Sequence, residues 1–426
     1  MKPILVAAAW PYANGSLHIG HIAALLPADV IARYHRLRGD NVYFVSGSDC
    51  HGTPVALRAR AEGCTPQEIC DRYHEEFRRC FDYLGLRFDF YGKTASPGHI
   101  AFARSFHRRL YQSPAVYEKE APQAYCVPCR KSLSDRYVGG VCPRCGADAR
   151  GDQCDACGAV LEPFELTAPA CALCGSPVEF RPARHLTLSL ARLENELRRF
   201  VAAHPHWRKN AISFTERYFN EGLTDRALTR DLDWGIPAPW PGHEEKKIYI
   251  WAENVLGYLS ASLAAERREG DFQALWGEDA RHYYVHGKDN IPFHTIILPA
   301  LLIAQGGGWH LPDEIISSEY LTLEGRKIST SQHYAVWVKD LIGRYAPDSL
   351  RYTLLIAGPE KRDADFSFRT LYARHNSELL GAFGNFVNRS LVFIRKYLGG
   401  VVPQGVPDES LLESLSRLYQ ATGRHE

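Results

Sequence analysis

Three things are scarce in this sequence of 426 residues. The first is net charge: 50 lysines and arginines almost cancel 49 aspartates and glutamates. No overall field therefore draws the chain onto nucleic acid or an anionic membrane, and any RNA contact must rest on local patches. The second is long apolar runs, since no stretch approaches the roughly 20 residues needed to cross a bilayer. The apolar start of MKPILVAAAWPYANG is interrupted by proline, tyrosine and asparagine within about ten residues, too soon for a secretion signal. It reads instead as a buried strand. The third is methionine, of which Met1 is the only one, and nothing physical accounts for that. The expectation is a cytoplasmic protein with no membrane partner; nothing in the sequence sets its oligomeric state.

What is present suits a folded chain. Hydrophobic residues make up 45% and aromatics 12%, enough for two to four domains with sizeable cores. Eight of the twelve cysteines form four Cys-x-x-Cys pairs between residues 126 and 174, while Cys50, Cys64, Cys70 and Cys80 are scattered. In a long chain without a secretion signal, paired cysteines favour metal over disulfides. Cys142/Cys145 and Cys154/Cys157 lie eight residues apart, with Gly146 and Gly158 after each pair. That is the pattern of zinc knuckles, in which backbone N–H groups turn towards thiolate. Cys126/Cys129 and Cys171/Cys174 flank this unit and would meet as a second site if the segment folds back on itself. Nested and sequential pairings both satisfy the count. Ligand sets made only of cysteine argue for structural metal, because a catalytic zinc keeps an open position.

Along the chain, Ile4 to Ala9 reads as a short strand, Asn14-Gly15 as a turn, and Ser16 as the cap of a helix running to about Leu37, ended by Gly39. Pro27 should kink that helix. Asn41 to Gly47 is a second strand, with SDCHGTP directly after it. Helices from about Pro54, near Pro66 to Leu84 and near Pro97 to Gln112 complete a strand-helix-strand pattern, which argues for a parallel sheet with crossover helices. Residues 117–182 are rich in cysteine, glycine and proline and read as an insertion with its own means of stabilisation. A helical segment around His185 to His204 follows, and strands resume at Lys246 to Trp251 and Arg281 to Gly287. After Leu321, EGRKISTSQ is a polar loop. Helical patterns then cover Val338 to Ala357 and Leu371 to Leu398, and one short amphipathic helix follows the linker from Val401 to Pro407.

His18-Ile19-Gly20-His21 falls at the start of the first helix, where free backbone N–H groups and a positive dipole end offer an anion site. Gly20 lets a nucleotide approach the backbone. Alone, H-x-x-H would be an ordinary helix end or a metal pair. In its setting, WPYANGSLHIGH from Trp10 to His21, it resembles the signature of class I aminoacyl-tRNA synthetases in the form carried by the methionyl enzymes. Lys327-Ile328-Ser329-Thr330-Ser331 occupies the place of that family's K-M-S-K-S loop, with Thr330 where a second lysine is usual. A loop bearing lysine and hydroxyls suits a reaction in which charge builds on departing pyrophosphate.

The resemblance implies a Rossmann-like α/β fold, with a parallel sheet split by a zinc-knuckle insertion. A small α/β linker domain and the start of an α-helical bundle would follow. In residues, 1–115 would be the first half of the catalytic domain and 116–235 the insertion, with its knuckles at about 120–182. Residues 236–321 would be the second half, 322–370 the loop and stem-contact region, and 371–426 an incomplete anticodon-binding domain whose base-stacking tryptophan falls past Glu426. It implies ATP-dependent activation of L-methionine to the adenylate and transfer to tRNA(Met), with Mg2+ on the phosphates and one or two structural Zn2+ ions.

By the same resemblance His18, Gly20, His21, Lys327, Ser329 and Thr330 would be catalytic; with Thr330 in place of the second lysine, Lys327 is expected to carry most of the stabilisation, with the neighbouring Arg326 helping. Asn14, His18, His21, Gly287, Asp289 and Lys327 would bind ATP, Asp289 at the ribose. Asp49 would hold the substrate ammonium, and Ala9, Trp10, Tyr12, Trp251, Tyr258 and His294 would line the methionine pocket. Aromatic walls suit a thioether. Arg230 matches a position near the active site, and Asn385 and Arg389 match positions that touch the anticodon. One departure bears on amino-acid specificity: the family's W-x-D-A-x-x-G-Y stands here as Trp251-Ala252-Glu253-Asn254-Val255-Leu256-Gly257-Tyr258. Two other readings stay open, a paralogue that delivers an aminoacyl-adenylate elsewhere and a non-catalytic RNA- or zinc-binding relative.

Overall fold

The computed structural model describes residues 2–154, 156–159, 161–330 and 333–422; Ser331 of the loop lies outside them. Short apolar runs with β-branched residues form the central strands: β1 (Pro3–Ala8), β2 (Asn41–Ser48), β3 (Phe90–Lys93) and, far along the chain, Arg281–Gly287 and Glu314–Ser318. All neighbouring pairs are parallel. The spatial order is Glu314–Ser318, Arg281–Gly287, β1, β2, β3, so chain direction across the sheet reverses beside β1, where open α/β sheets open a crevice at their carboxyl ends. Side chains alternate between two cores. Leu5, Ala7, Tyr43, Val45 and Tyr284 face one layer; Ile4, Val6, Ala8, Val42, Phe44, Tyr283 and Val285 face the other. Burial on both faces is why these strands read as continuous apolar runs rather than as alternation.

The first helix, α1 (Ile19–Leu37), begins later than Ser16 suggests, because His18 itself is the cap. It runs on through Pro27. The next two helices, α2 (Thr53–Glu62) and α3 (Pro66–Leu84), are joined by Gly63, whose φ of 66° closes α2 in the left-handed conformation. Cys70 on α3 and Cys50 after β2, both fully buried, are joined as a disulfide with 5.2 Å between their Cα atoms. Spacing gave no sign of this, since only tertiary packing brings them together. Then comes α4 (Pro97–Leu110).

The insertion is more regular than its composition suggests. Val116–Cys126 and Glu179–Leu188 pair antiparallel over ten residues, from Val116↔Leu188 to Tyr125↔Glu179, and form a stalk at the centre of a four-stranded sheet with Lys131–Leu133 and Arg226–Ala227 at its edges. His185 therefore sits in a strand, and helix begins only at Leu190. The stretch read as a strand from Lys246 to Trp251 is extended only at Lys247–Ile248, and Trp251 lies in the short helix Ile250–Glu253. Periodicity could not separate these, because neither stretch is long enough to show a clear period.

Downstream, Leu321–Leu323, Arg326–Lys327 and Ala364–Phe366 form a small sheet with the helix Pro347–Ile356, so the helical pattern from Val338 breaks after Leu341 and resumes at Pro347. Helix then runs from Phe368 through a π segment, His375–Gly384, to Tyr397, and Glu409–Thr422 follows. Many apolar side chains here are exposed, Phe383, Phe386, Leu391 and Phe393 among them. Among the described residues, no helix is long and apolar enough to cross a membrane.

Candidate active site at the strand ends

Backbone hydrogen bonds beyond the sheet draw the strand-end loops together: Asp49 N–H donates to Pro11 O (2.9 Å) and Ala13 N–H to Asp49 O (2.8 Å). This sets Trp10 and Tyr12, after β1, beside Asp49, after β2. Trp10 is wedged between glycines. A Cβ on Gly47 would come 2.3 Å from its Cζ3, and one on Gly257 2.8 Å from its Cε2 and Cζ2. Trp10, Ala9, Trp251, Asn254, Tyr258 and His294 are among the residues that line one small cavity. His294 Nδ1 donates to Asn290 O (2.8 Å), which leaves Nε2 to accept from the Tyr258 hydroxyl at 2.8 Å. Burial pushes the His294 pKa down to about 4, so the ring is neutral. Trp251 and Phe293 are stacked, 3.9 Å apart and 12° from parallel, and both also line a larger cavity of about 470 Å3 against the insertion, with Phe164, Tyr218, Leu223 and Tyr249.

Beneath Asp49 lies a buried charge cluster. His51 Nδ1 is 2.9 Å and His99 Nε2 3.3 Å from Glu253 Oε1, and Glu253 is fully buried. Burial would raise the Glu253 pKa, but the two imidazoles hold it down at about 2. Burial and the Glu253 charge together push Asp49 up to about 8. Its carboxylate accepts from Asn254 Nδ2 (3.0 Å) and from His51 N–H (3.4 Å).

At the start of α1, His18 Nδ1 accepts from Gly20 N–H and His21 Nδ1 from His18 N–H, each at 3.1 Å. The rings stack at 3.7 Å. Burial lowers the His18 pKa to about 4 and that of His21 well below its ordinary value. Both rings are thus neutral with the proton on Nε2, a fixed pair of N–H donors. The expectation of free backbone donors here needs correction: Gly20 N–H is taken by His18, and Ile19 N–H donates to Val336 O at 3.0 Å. What remains for an anion is the two Nε2–H groups and the helix dipole.

Val336 belongs to the segment after Lys327, and that loop sits directly on α1. Ile328 Cδ1 is 3.4 Å from where a Gly20 Cβ would stand, and His18 pairs with Trp337 as an antiparallel bridge. Ser329 and Tyr334 bridge across the loop. Lys327 is exposed, its Nζ 5.6 Å from the centre of the Tyr320 ring; the Tyr320 hydroxyl donates to Asp289. Arg326 instead lies over Tyr334, at 4.4 Å, as alternation along a strand requires. Thr330 is exposed; Asn14 and Gly287 are half-buried. Arg230 is buried over the Tyr249 ring (4.1 Å) and 3.4 Å from Glu162, at the seam with the insertion. Asn385 and Arg389 are exposed on the Asn385–Tyr397 helix. Sequence reasoning named Glu253 only as the residue at the aspartate position of the W-x-D-A-x-x-G-Y pattern, and missed His99 and Tyr320 as neighbours of the site.

Two cysteine sets gather in nested fashion, Cys126, Cys129, Cys171 and Cys174 in one and Cys142, Cys145, Cys154 and Cys157 in the other, with the sulfurs of each set within 4.8 Å of one another. Facing sulfurs are 3.5–4.0 Å apart. Tetrahedral zinc with Zn–S near 2.3 Å requires about 3.8 Å between sulfurs, so both sets fit that ion. Gly146, Gly158 and Gly175 have φ of 73–74°, the turn that aims N–H groups back at sulfur.

Residues 4–391 match the family described as tRNA synthetases class I (M). The chain is 52% identical over 424 residues to a methionine–tRNA ligase of Bacillus cereus (strain 03BB102), a match that covers 99% of this chain and 78% of the relative. It is 50% identical to methionine–tRNA ligase 1 of Alkaliphilus oremlandii (strain OhILAs), with the same coverage. A structure of Mycobacterium tuberculosis methionyl-tRNA synthetase in complex with methionyl-adenylate superposes with a TM-score of 0.76 at 25% identity, over 99% of this chain and 79% of that one.

Proposed function

The chain belongs to the class I tRNA synthetases of the methionyl group, and from that premise we infer how its cleft works. It activates L-methionine with ATP and charges tRNA(Met). The methionine carboxylate attacks the α-phosphorus, pyrophosphate departs, and the methionyl group passes from the adenylate to the terminal adenosine of the tRNA.

The observation that carries the assignment of roles is the seating of the Lys327 loop on the His18–His21 turn, Ile328 against Gly20 and Val336 on Ile19 N–H. Residues some three hundred apart in sequence thereby border one cleft. In our reading His18 and His21 donate their Nε2–H groups to ATP phosphate oxygens. Being neutral and locked by backbone bonds, they pay little reorganisation when charge develops. Lys327 supplies the cation for departing pyrophosphate, with Ser329 and Thr330 as hydroxyl donors, and Mg2+ would add charge neutralisation on the phosphates. Asn14, Gly287 and Asp289 border the nucleotide. Ala9, Trp10, Tyr12, Trp251, Tyr258 and His294 enclose the thioether, and Asp49 receives the ammonium. Catalysis is then mainly positioning and charge stabilisation.

The cysteine sets would hold two Zn2+ ions. With four thiolates each they have no open position, so their part is to fold the insertion. Asn385 and Arg389 are assigned to the anticodon of tRNA(Met). The domain assignment follows: 1–115 and 236–321 catalytic, 116–235 inserted, 322–370 the loop and stem-contact region, and 371–426 the start of the anticodon-binding bundle. Pyrophosphate exchange with each amino acid in turn, followed by charging of tRNA(Met), tests the reading. Methionine-selective exchange with charging is expected. Exchange without charging, or silence with every amino acid, would overturn it.

A further inference from the structure

Asn254 stands where the synthetase pattern has alanine, and its two amide atoms are in different situations. Nδ2 donates to Asp49 Oδ2 at 3.0 Å. In the ionised form that pairing with an ammonium requires, the Asp49 carboxylate can only accept, so this bond then fixes the amide's orientation and sends Oδ1 the other way. Oδ1 is buried and, among the described residues, has no hydrogen-bond partner. Asn254 lines the small cavity with Trp10, Tyr258 and His294. A buried carbonyl oxygen without a donor costs free energy unless a ligand supplies the donor.

We propose that Asn254 is a second acceptor for the substrate's ammonium, its Oδ1 and the Asp49 carboxylate taking different N–H groups of the same cation. This rests on the reading that Asp49 receives the ammonium. An ammonium carries three N–H donors arranged as a tripod, and one carboxylate satisfies them poorly in a closed cavity. Asn254 answers two needs at once: it donates to Asp49, which favours the ionised form, and it accepts from the ligand. The bond from Asn254 does act to lower the pKa of Asp49, against burial and Glu253. Both ring nitrogens of His294 on the cavity wall are already committed, Nε2 to Tyr258 and Nδ1 to Asn290 O. Trp10 Nε1, the other unpartnered buried atom there, is a donor and cannot accept from an ammonium.

The test compares wild type with Asn254→Leu, close in volume but without either polar group, and Asn254→Ser, which keeps a shorter acceptor. Three ligands are used: methionine, methioninol (ammonium but no carboxylate) and 4-(methylthio)butanoate (carboxylate but no ammonium). Expected for Asn254→Leu is about a 10- to 100-fold loss of affinity for the two ammonium ligands, as for a hydrogen bond to a charged group. 4-(Methylthio)butanoate inhibition and the KM for ATP should move less than about twofold. Asn254→Ser should recover part of the loss. Equal losses for all three ligands would overturn the proposal, leaving Asn254 as cavity wall only, and so would unchanged affinities. A wild-type protein that fails to activate methionine would instead overturn the function proposed above, a distinguishable result because it requires no variant.

Discussion

Replacing Gly257 by alanine isolates what the wedged indole of Trp10 does. Gly257 starts the helix Gly257–Ala264 with ordinary helical angles, φ −55° and ψ −36°. The backbone therefore accepts alanine, and helix propensity alone would favour it by about 0.5–1 kcal/mol. The added Cβ, however, would stand 2.8 Å from Cε2 and Cζ2 of Trp10 and 3.1 Å from Cη2, about 0.5–1 Å inside the carbon–carbon optimum. The ring cannot retreat across the sheet. Gly47 and Gly92 already touch its far edge so closely that their own Cβ positions would lie 2.3 Å and 3.4 Å from it. It must move into the cavity it lines with Tyr258 and His294. Overpacking of this kind costs about 1–3 kcal/mol, so after the gain in propensity the net destabilisation is about 0–2.5 kcal/mol. A wall displaced by nearly an ångström is worth far more to a fitted ligand, about 10- to 100-fold in the KM for methionine. Pyrophosphate exchange measured against methionine and ATP separately, with thermal unfolding alongside, reads both effects. Adding Trp10→Phe, a smaller ring, should recover part of the methionine KM. An unchanged methionine KM in a folded Gly257→Ala protein would refute the reasoning.

Three further outcomes are expected. Lys327→Ala should lower kcat for exchange by about 100-fold with little change in the methionine KM, and Thr330→Lys should raise kcat, since it restores a second cation to the loop; an unaffected Lys327→Ala protein would remove the lysine from the chemistry. Asp49, with a pKa near 8, is protonated below that pH and cannot then pair with an ammonium. Methionine affinity should fall as pH drops below 8, approaching tenfold per unit, and Glu253→Gln, which removes the charge that raises Asp49, should move that limb to lower pH; titration calorimetry between pH 6 and 9 reads it, and a flat profile would dissociate Asp49 from binding. Purified protein should contain about two zinc ions per chain, falling to about one in Cys129→Ser and in Cys145→Ser alike; a single variant that loses both would show the two sites to be interdependent.

Three strands of the parallel sheet, β1, β2 and Arg281–Gly287, were legible because they are buried on both faces, whereas the short Phe90–Lys93 and Glu314–Ser318 were not read; α3 was legible to the residue at both ends because Pro66 starts it and Gly85 stops it. The cysteine sets were legible as ligands but not as pairings: the nested arrangement depends on the stalk from Val116 to Leu188, whose strands alternate too weakly in hydrophobicity to announce themselves. Trp251 was assigned to the right neighbourhood on the wrong element, since four apolar residues serve a strand or a helical turn equally well. The occupied N–H groups of α1 were not legible at all. That of Gly20 goes to the neighbouring His18 ring, and that of Ile19 depends on Val336, more than three hundred residues later, a contact no local pattern encodes.

That contact has a consequence for reach. Upstream of Lys327, the loop is tied into the small sheet through Leu323↔Arg326; downstream, Val336 O and Val338 N–H are stitched to Ile19 and Leu17. Lys327 itself is paired with Thr322 at the edge of that sheet, so the backbone under the lysine proposed for catalysis is fixed, and how far its amine can travel depends on its own side chain and on the sheet moving relative to α1. Deleting one residue between Ser329 and Val336 would shorten the connection between these two attachments and shift the edge that carries Lys327 relative to His18 and His21, even with every side chain named above left in place.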